Sequence, residues 1–200
     1  MPVREFAMQP FYQGKIDNFC AIYAVLNALQ VLYSLTPLHA RKIFNRTLAA
    51  QAAFPETFEK ILAHKTDYIF LVDAILDDVR KHDFPSLNII KPFSSGASYE
   101  QVWETLRSSA RPPIPQVSVF RFLRIAPPSE TPYVDHWTVG HFMDMEGLHL
   151  LDCSLEAGAL YCIPYIKLTD AWRPLNREYV VIPPESVRIL SALQSSSLPV

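Results

Sequence analysis

Gln13-Gly14-Lys15-Ile16-Asp17-Asn18-Phe19-Cys20-Ala21 runs without a break into Ile22-Tyr23-Ala24-Val25-Leu26-Asn27-Ala28-Leu29-Gln30. The first part is polar and turn-like. In the second, Ala21, Ala24, Val25, Ala28, Leu29 and Leu32 recur at the spacing of one helix face, and Ile22, Leu26 and Tyr33 fill the other. A helix that is apolar all round is a buried one, so residues 20–34 are expected to form the central helix of the core. Asp17 or Asn18 can serve as its N-cap. Cys20 stands at the junction. A helix N-terminus carries free N–H groups and partial positive charge, which favour a thiolate held there. Gln13, a few residues upstream, can aim a side-chain amide at the same spot, where a donor stabilises an oxyanion. A lone cysteine in such a place is more often a small buried hydrophobe. The case for chemistry depends on a matching base and carboxylate elsewhere in the chain.

Outward from the central helix, Pro37 suits a first helical turn, and residues 37–53 read as a second helix. Pro55 restarts another over 55–64. Residues 67–82 carry Leu71, Ala74, Ile75, Leu76 and Val79 on one side and Asp77, Asp78, Arg80 and Lys81 on a solvated face. Phe84-Pro85 ends that helix. Leu87–Ile90 is a short strand candidate. The loop Ser94–Ser98 offers an N-cap for a helix over 98–109 containing Val102, Trp103 and Leu106. After Arg111-Pro112-Pro113 the pattern changes to strands, at 117–125, 133–143, 148–153, 161–164 and 178–182. Short helices are expected near 166–171 and 185–193, and a frayed tail beyond. The expected fold class is α+β with an antiparallel sheet: one domain over 1–200, helical to about residue 110, β from about 111 to 185, with a short tail over 186–200. Residues 36–110 read as a helical insertion between the central helix and the sheet.

Composition bounds the function. Half of the 200 residues are hydrophobic, so a large core is available. The formal net charge of −2 gives no general reason to bind nucleic acid or an anionic membrane. Gly is scarce, and neither GxGxxG nor a P-loop occurs. Three cysteines, at 20, 153 and 162, are no disulfide framework and suit a reducing compartment. Met1–Phe6 has no apolar signal region, so a cytoplasmic location is expected. Asn18–Ala40 is free of Asp, Glu, Lys and Arg and long enough to span a bilayer. Asn27, Gln30, Ser34, Thr36, Pro37 and His39 interrupt it, and it reads as core, not as a membrane span.

The second chemical cluster is Val134-Asp135-His136-Trp137-Thr138-Val139-Gly140, followed by Leu150-Leu151-Asp152-Cys153. Strand alternation puts His136, Thr138, Gly140 and Phe142 on one face, and Trp137, Val139 and His141 on the other. Facing His136 across a hairpin, Asp152 would orient the imidazole that a thiol nucleophile needs. The register is open. A two-residue turn at Glu146-Gly147 sets Asp152 opposite His141, whereas a wider loop centred on Asp144, with a bulge relaxed by Gly147, sets it opposite His136. The same alternation turns Cys153 away from Asp152 and into the core, and Cys162 reads as core too. The histidines show no HExxH-like spacing, and alternation scatters His136, His141 and Cys153, so no metal is expected. Trp137 beside the histidine is a candidate substrate contact, or core.

The order Gln13, Cys20, His136, Asp152 resembles the papain-like cysteine peptidase superfamily, in which a Gln precedes a Cys at the start of the central helix, and a His and then an Asn or Asp follow on adjacent strands. The spacing from His136 to Asp152 is similar to the family's and favours the wider loop. Cys20-Ala21, Asn27-x-Leu29-Gln30 and His136-Trp137 resemble Josephin-type deubiquitinases. The compact His-to-Asp hairpin resembles bacterial peptidases that process bacteriocin leaders. The resemblance implies a papain-like fold with a cleft between helices and sheet, catalytic Cys20, His136 and Asp152, and Gln13 in the oxyanion hole. It implies no cofactor and a protein or peptide substrate. The same residues also serve a glutamine deamidase or an acyl transferase, and a non-catalytic binding protein can retain the fold. Oligomeric state is not addressed by the sequence.

Overall fold

The computed structural model describes residues 9–14, 18–110, 116–154, 160–171 and 173–193. Its helices are α1 (Cys20–Tyr33), α2 (Pro37–Ala52), α3 (Pro55–Leu62), α4 (Ile69–His82) and α5 (Tyr99–Ser109). Its strands are β1 (Leu87–Ile90), β2 (Gln116–Ile125), β3 (Val134–Met143), β4 (Leu148–Leu150), β5 (Cys162–Ile163), β6 (Tyr179–Val181) and β7 (Arg188–Ala192). The fold is mixed α+β. One seven-stranded sheet runs in the order β1-β7-β2-β3-β4-β5, with β6 paired to β2, and every strand pairing is antiparallel. Among the described residues, no helix is long and apolar enough to cross a membrane.

The sheet has a core on each face. Val117 and Val119 of β2, Trp137 and Val139 of β3 and Leu190 of β7 pack with α1 and with buried residues of α2, α3 and α4. Phe120 and Phe122 of β2, Leu148 and Leu150 of β4 and Ile189 of β7 pack with Val102 and Leu106 of α5. Alternation along β2 thus feeds two apolar layers. Local chemistry sets the helix starts. Thr36 caps α2 by accepting from the His39 N–H, with Pro37 in the first turn. Ser98 and Gln101 form a reciprocal capping box at α5. α1 ends where Ser34 turns left-handed and its N–H reaches Gln30 O.

Two expectations fail at the C-terminal end. Residues 185–193 are not a helix: Pro184–Ser186 make one 3-10 turn, and Arg188–Ala192 are strand β7. Residues 186–193 are therefore no loose tail, since β7 lies between β1 and β2 within the sheet, and the frayed tail expected beyond them lies outside the described residues. Val187 to Leu190 are all buried, and a strand covered on both faces loses the polar–apolar alternation that would mark it. The helix near 166–171 is reduced to a 3-10 turn at Tyr165–Lys167.

α1 also positions the lead-in segment. Asn27 is fully buried, and its carboxamide accepts from Phe11 N at 2.7 Å and donates to Phe11 O at 3.2 Å. Gln30 donates to Gln9 O at 3.1 Å. The Gln13 N–H then reaches Cys153 O at 2.9 Å. An extended segment is thereby tied at one end to α1 and at the other to the strand side. Asn27→Ala leaves the Phe11 N–H and C=O without their partner and is expected to cost about 1–3 kcal/mol. Urea unfolding measures this, and a change within the ~0.5 kcal/mol of an ordinary surface substitution would contradict it.

Candidate active site

Cys20 is the first residue of α1 and is buried. Of the two expected caps, Asn18 is not the N-cap: Phe19 occupies that position, and Asn18 donates its side chain to Leu62 O at 2.8 Å. Asp17 lies outside the described residues. The start of α1 carries the partial positive charge that suits an anion.

His136 comes from β3, paired with Phe122 of β2, whose ring meets the imidazole edge-on at 5.7 Å. Its Nε2 lies 3.0 Å from Asp152 Oδ1. Burial pulls the imidazole pKa down, but hydrogen bonds to Asp152, Cys153 and Cys20, together with the charge of Cys20, outweigh it. The net shift is well above the ordinary histidine value, so the imidazolium is favoured. The structure thus brings together Cys20 and His136, and His136 and Asp152, from three separate parts of the chain.

The way Asp152 arrives differs from both expected registers. β3 and β4 pair Gly140 with Leu150, Phe142 with His149 and Met143 with Leu148, so the ladder slips at His141. The bulge is at His141 and not at Gly147, and His141 is exposed. A Cβ on Gly140 would lie 2.7 Å from Ser118 Oγ and 3.0 Å from the Leu148 methyls, so glycine lets β3 sit this close to its neighbours. β4 stops at Leu150. Leu151 N still reaches Val139 O at 2.8 Å, after which Asp152 turns inward and its Oδ1 accepts from Ser154 N at 2.7 Å. Asp152 therefore meets His136 from beyond the end of the strand.

That departure also relocates Cys153. Alternation would turn it away from Asp152, yet its Sγ lies 3.6 Å from His136 Nε2 and 3.8 Å from Gln13 Oε1. Alternation holds only inside a strand, and residue 153 is outside β4. His136, Asp152 and Cys153 form a compact group of metal-ligand type; of the set expected to scatter, His136 and Cys153 come together and only His141, which is exposed, stays out. Gln13 is in the site, with its carboxamide oxygen towards Cys153. Trp137 takes the core alternative: it is 0% exposed, packs in the α1 layer, and donates its indole N–H to Asp67 O at 2.8 Å. Asp135 beside it is forked by Arg121, with both contacts at 2.6 Å.

Tyr68 is a neighbour that periodicity could not indicate. It is buried at the start of α4 with φ 62°, and donates its hydroxyl to Ile61 O. Burial pushes the phenol pKa up, and the charge of Cys20 adds to the shift. Bulky residues in the left-handed region are rare, and such strain collects at functional sites. One cleft of about 280 Å³ is lined by Phe11, Tyr12, Tyr23 and Leu26 with Pro37, Ala40, Arg41 and Phe44. It lies between the lead-in segment, α1 and α2, and neither Cys20 nor His136 lines it.

Burial raises the Cys153 and Cys162 thiols above their ordinary value. Cys20, paired with the imidazolium, is expected to alkylate fastest of the three. Mass mapping after brief iodoacetamide treatment near neutral pH reads the order; earlier labelling of Cys153 or Cys162 contradicts it. The chain matches no protein-family model, no curated protein and no solved structure.

Proposed function

We propose that this chain is a papain-like, cysteine-dependent amide hydrolase acting on protein or peptide substrates. The observation that carries the reading is the position of His136, with the Cys20 thiol and the Asp152 carboxylate as its partners. Asp152 engages Nε2, which leaves Nδ1 to take the Cys20 proton. The thiolate attacks the amide carbonyl carbon and forms a tetrahedral oxyanion. Backbone N–H groups at the start of α1 are its first donors. A donor role for Gln13 falls to its NH2 group, since its oxygen accepts from the Cys153 thiol. The intermediate collapses as Nδ1–H protonates the leaving amine. Water, deprotonated by the same nitrogen, then hydrolyses the thioester and frees Cys20.

Peptide or isopeptide hydrolysis stands ahead of glutamine deamidation and of acyl transfer, which would use the same steps on another substrate. The test is incubation of the purified protein with cell lysate, with Cys20→Ala as control, followed by mass spectrometry of chain termini and side chains. New termini that depend on Cys20 support hydrolysis. Cys20-dependent conversion of Gln to Glu without new termini moves the assignment to a deamidase. A ubiquitin-based electrophilic probe that labels Cys20 would place it with deubiquitinases. No Cys20-dependent product of any kind, together with an unreactive Cys20, would leave a binding protein on this fold.

A further inference from the structure

We propose that His136, Asp152 and Cys153 form a binding site for a thiophilic divalent cation, zinc by its ligand chemistry, and that an ion bound there disables the base that serves Cys20. The second part rests on the hydrolase reading; the first does not.

The geometry is already close to that of a metal centre. One ligand atom from each of the three residues lies within 4.8 Å of the other two. His136 Nε2 is 3.0 Å from Asp152 Oδ1 and 3.6 Å from Cys153 Sγ. Tetrahedral zinc holds nitrogen and oxygen at about 2.0–2.2 Å and sulfur at about 2.3 Å, which makes the ligand–ligand edges about 3.3–3.6 Å. An ion inside the triangle therefore requires adjustments of a few tenths of an ångström along the two edges from His136, and at most about 1 Å along the Asp152–Cys153 edge, which is within 4.8 Å. Gln13 Oε1 lies 3.8 Å from Cys153 Sγ, and water can fill a fourth position. Three protein ligands with one further position is the arrangement of reactive rather than purely structural zinc sites.

A second observation is independent of that clustering. Asp152 is 2% exposed, and among the described residues its Oδ2 has no hydrogen-bond partner. A buried carboxylate oxygen left unpaired is costly, and a cation beside it removes the cost. Ser154 N holds the other oxygen in place at 2.7 Å, so the carboxylate is fixed before any ion arrives. A thiolate with an imidazole and a carboxylate selects zinc over magnesium or calcium, which prefer oxygen alone.

The proton balance gives the consequence. Binding requires the Cys153 thiol and His136 Nε2 to release their protons to solvent, and the ion takes both lone pairs. The imidazole then keeps its remaining proton on Nδ1, so that nitrogen cannot accept the proton of Cys20. Cys20 is not a ligand in this arrangement, and the block acts through His136.

Cobalt(II) is the probe, titrated into the reduced 200-residue chain and then displaced by Zn²⁺. The expected result is one equivalent bound, a thiolate-to-cobalt charge-transfer band, and the intense visible bands of tetrahedral cobalt. Cys153→Ser should remove the charge-transfer band and weaken binding by on the order of 100-fold or more. Asp152→Asn should weaken binding while keeping the band at saturating metal. Cys20→Ser should leave band and affinity unchanged, and Mg²⁺ should not compete. In the wild-type chain, Zn²⁺ should slow alkylation of Cys20 by at least about tenfold, reversibly with chelator. Absence of a thiolate band in the wild type, or a band that survives Cys153→Ser and disappears in Cys20→Ser, overturns the site, whether or not a variant folds poorly. Binding with no change in Cys20 alkylation overturns the block. The band needs no substrate, so a chain that hydrolyses nothing but shows it would lose the hydrolase reading and keep the metal site.

Discussion

Replacing Cys20 by alanine is expected to lower turnover of any amide substrate by on the order of 10⁴-fold or more, and His136→Ala by a similar factor. The double variant should be no worse than either alone, because thiol and imidazole act as one unit and the first deletion already removes their joint effect. The third member should behave differently. Asp152 touches no substrate in the proposed mechanism; it holds the imidazole through Nε2 at 3.0 Å. Asp152→Ala removes that orientation and is expected to forfeit on the order of 10²–10⁴-fold, the range of a well-placed acid–base group. Asp152→Asn keeps an oxygen for Nε2–H and for Ser154 N, and should lose less. The readout is the kcat of each variant on a substrate found in lysate, with near-ultraviolet circular dichroism to show that each still folds. Full activity in Cys20→Ala would remove the nucleophile assignment. An Asn variant worse than the Ala variant would show that Asp152 acts in some other way than as an acceptor.

These residues were legible in the sequence to different degrees, and the reasons are physical. α1 could be read because an all-apolar helical repeat has few alternatives, and α2 and α5 because Thr36-Pro37 and Ser98 with Gln101 are local starts that need no distant partner. Cys20 followed from that framework, whereas His136 was singled out over His141 only by the family-like order and spacing. β7 was illegible for the opposite reason. It is a strand only because Leu87–Ile90 on one side and Gln116–Val119 on the other, both remote in sequence, supply its hydrogen bonds. The register of β3 against β4 depends on a bulge at His141, and no residue type there demands one. Cys153 was missed by carrying alternation three residues past the end of β4. The local rule was sound, but its range was set by where the strand stops, which tertiary packing decides.

Asp73→Ala is expected to destabilise the fold by about 3–5 kcal/mol, because it strands a buried guanidinium. Arg188 lies on β7 with a side chain only 3% exposed. Its Nε and Nη2 donate to Asp73 Oδ1 and Oδ2 at 2.7 and 3.1 Å, and its Nη1 donates to Glu185 O and Val187 O at 2.7 and 3.0 Å. Asp73 comes from α4 and is also bound by Lys91 at 2.7 Å, so the cluster joins α4 to β7 and to the residue following β1. The two partners are unequal. Arg188→Met leaves Asp73 partly exposed and still paired with Lys91, and should cost clearly less than Asp73→Ala. With both partners replaced, as Asp73→Leu and Arg188→Met, no buried charge remains, and the variant should regain most of the loss. The effect should also depend on pH. Burial raises the Asp73 carboxyl, but the hydrogen bonds from Arg188 and Lys91 outweigh it and hold its pKa below the ordinary carboxylate value. A group depressed in the folded state contributes stability above its unfolded pKa of about 4, and that contribution fades as pH falls through the folded value. Urea unfolding at pH 7 and in steps below pH 4 measures both effects. The ion pair is needed to anchor β7 only if Asp73→Ala costs more than Arg188→Met and the gap between wild type and the doubly apolar variant narrows on acidification; equal costs for the two single variants would mean that packing, and not the charge, holds this strand.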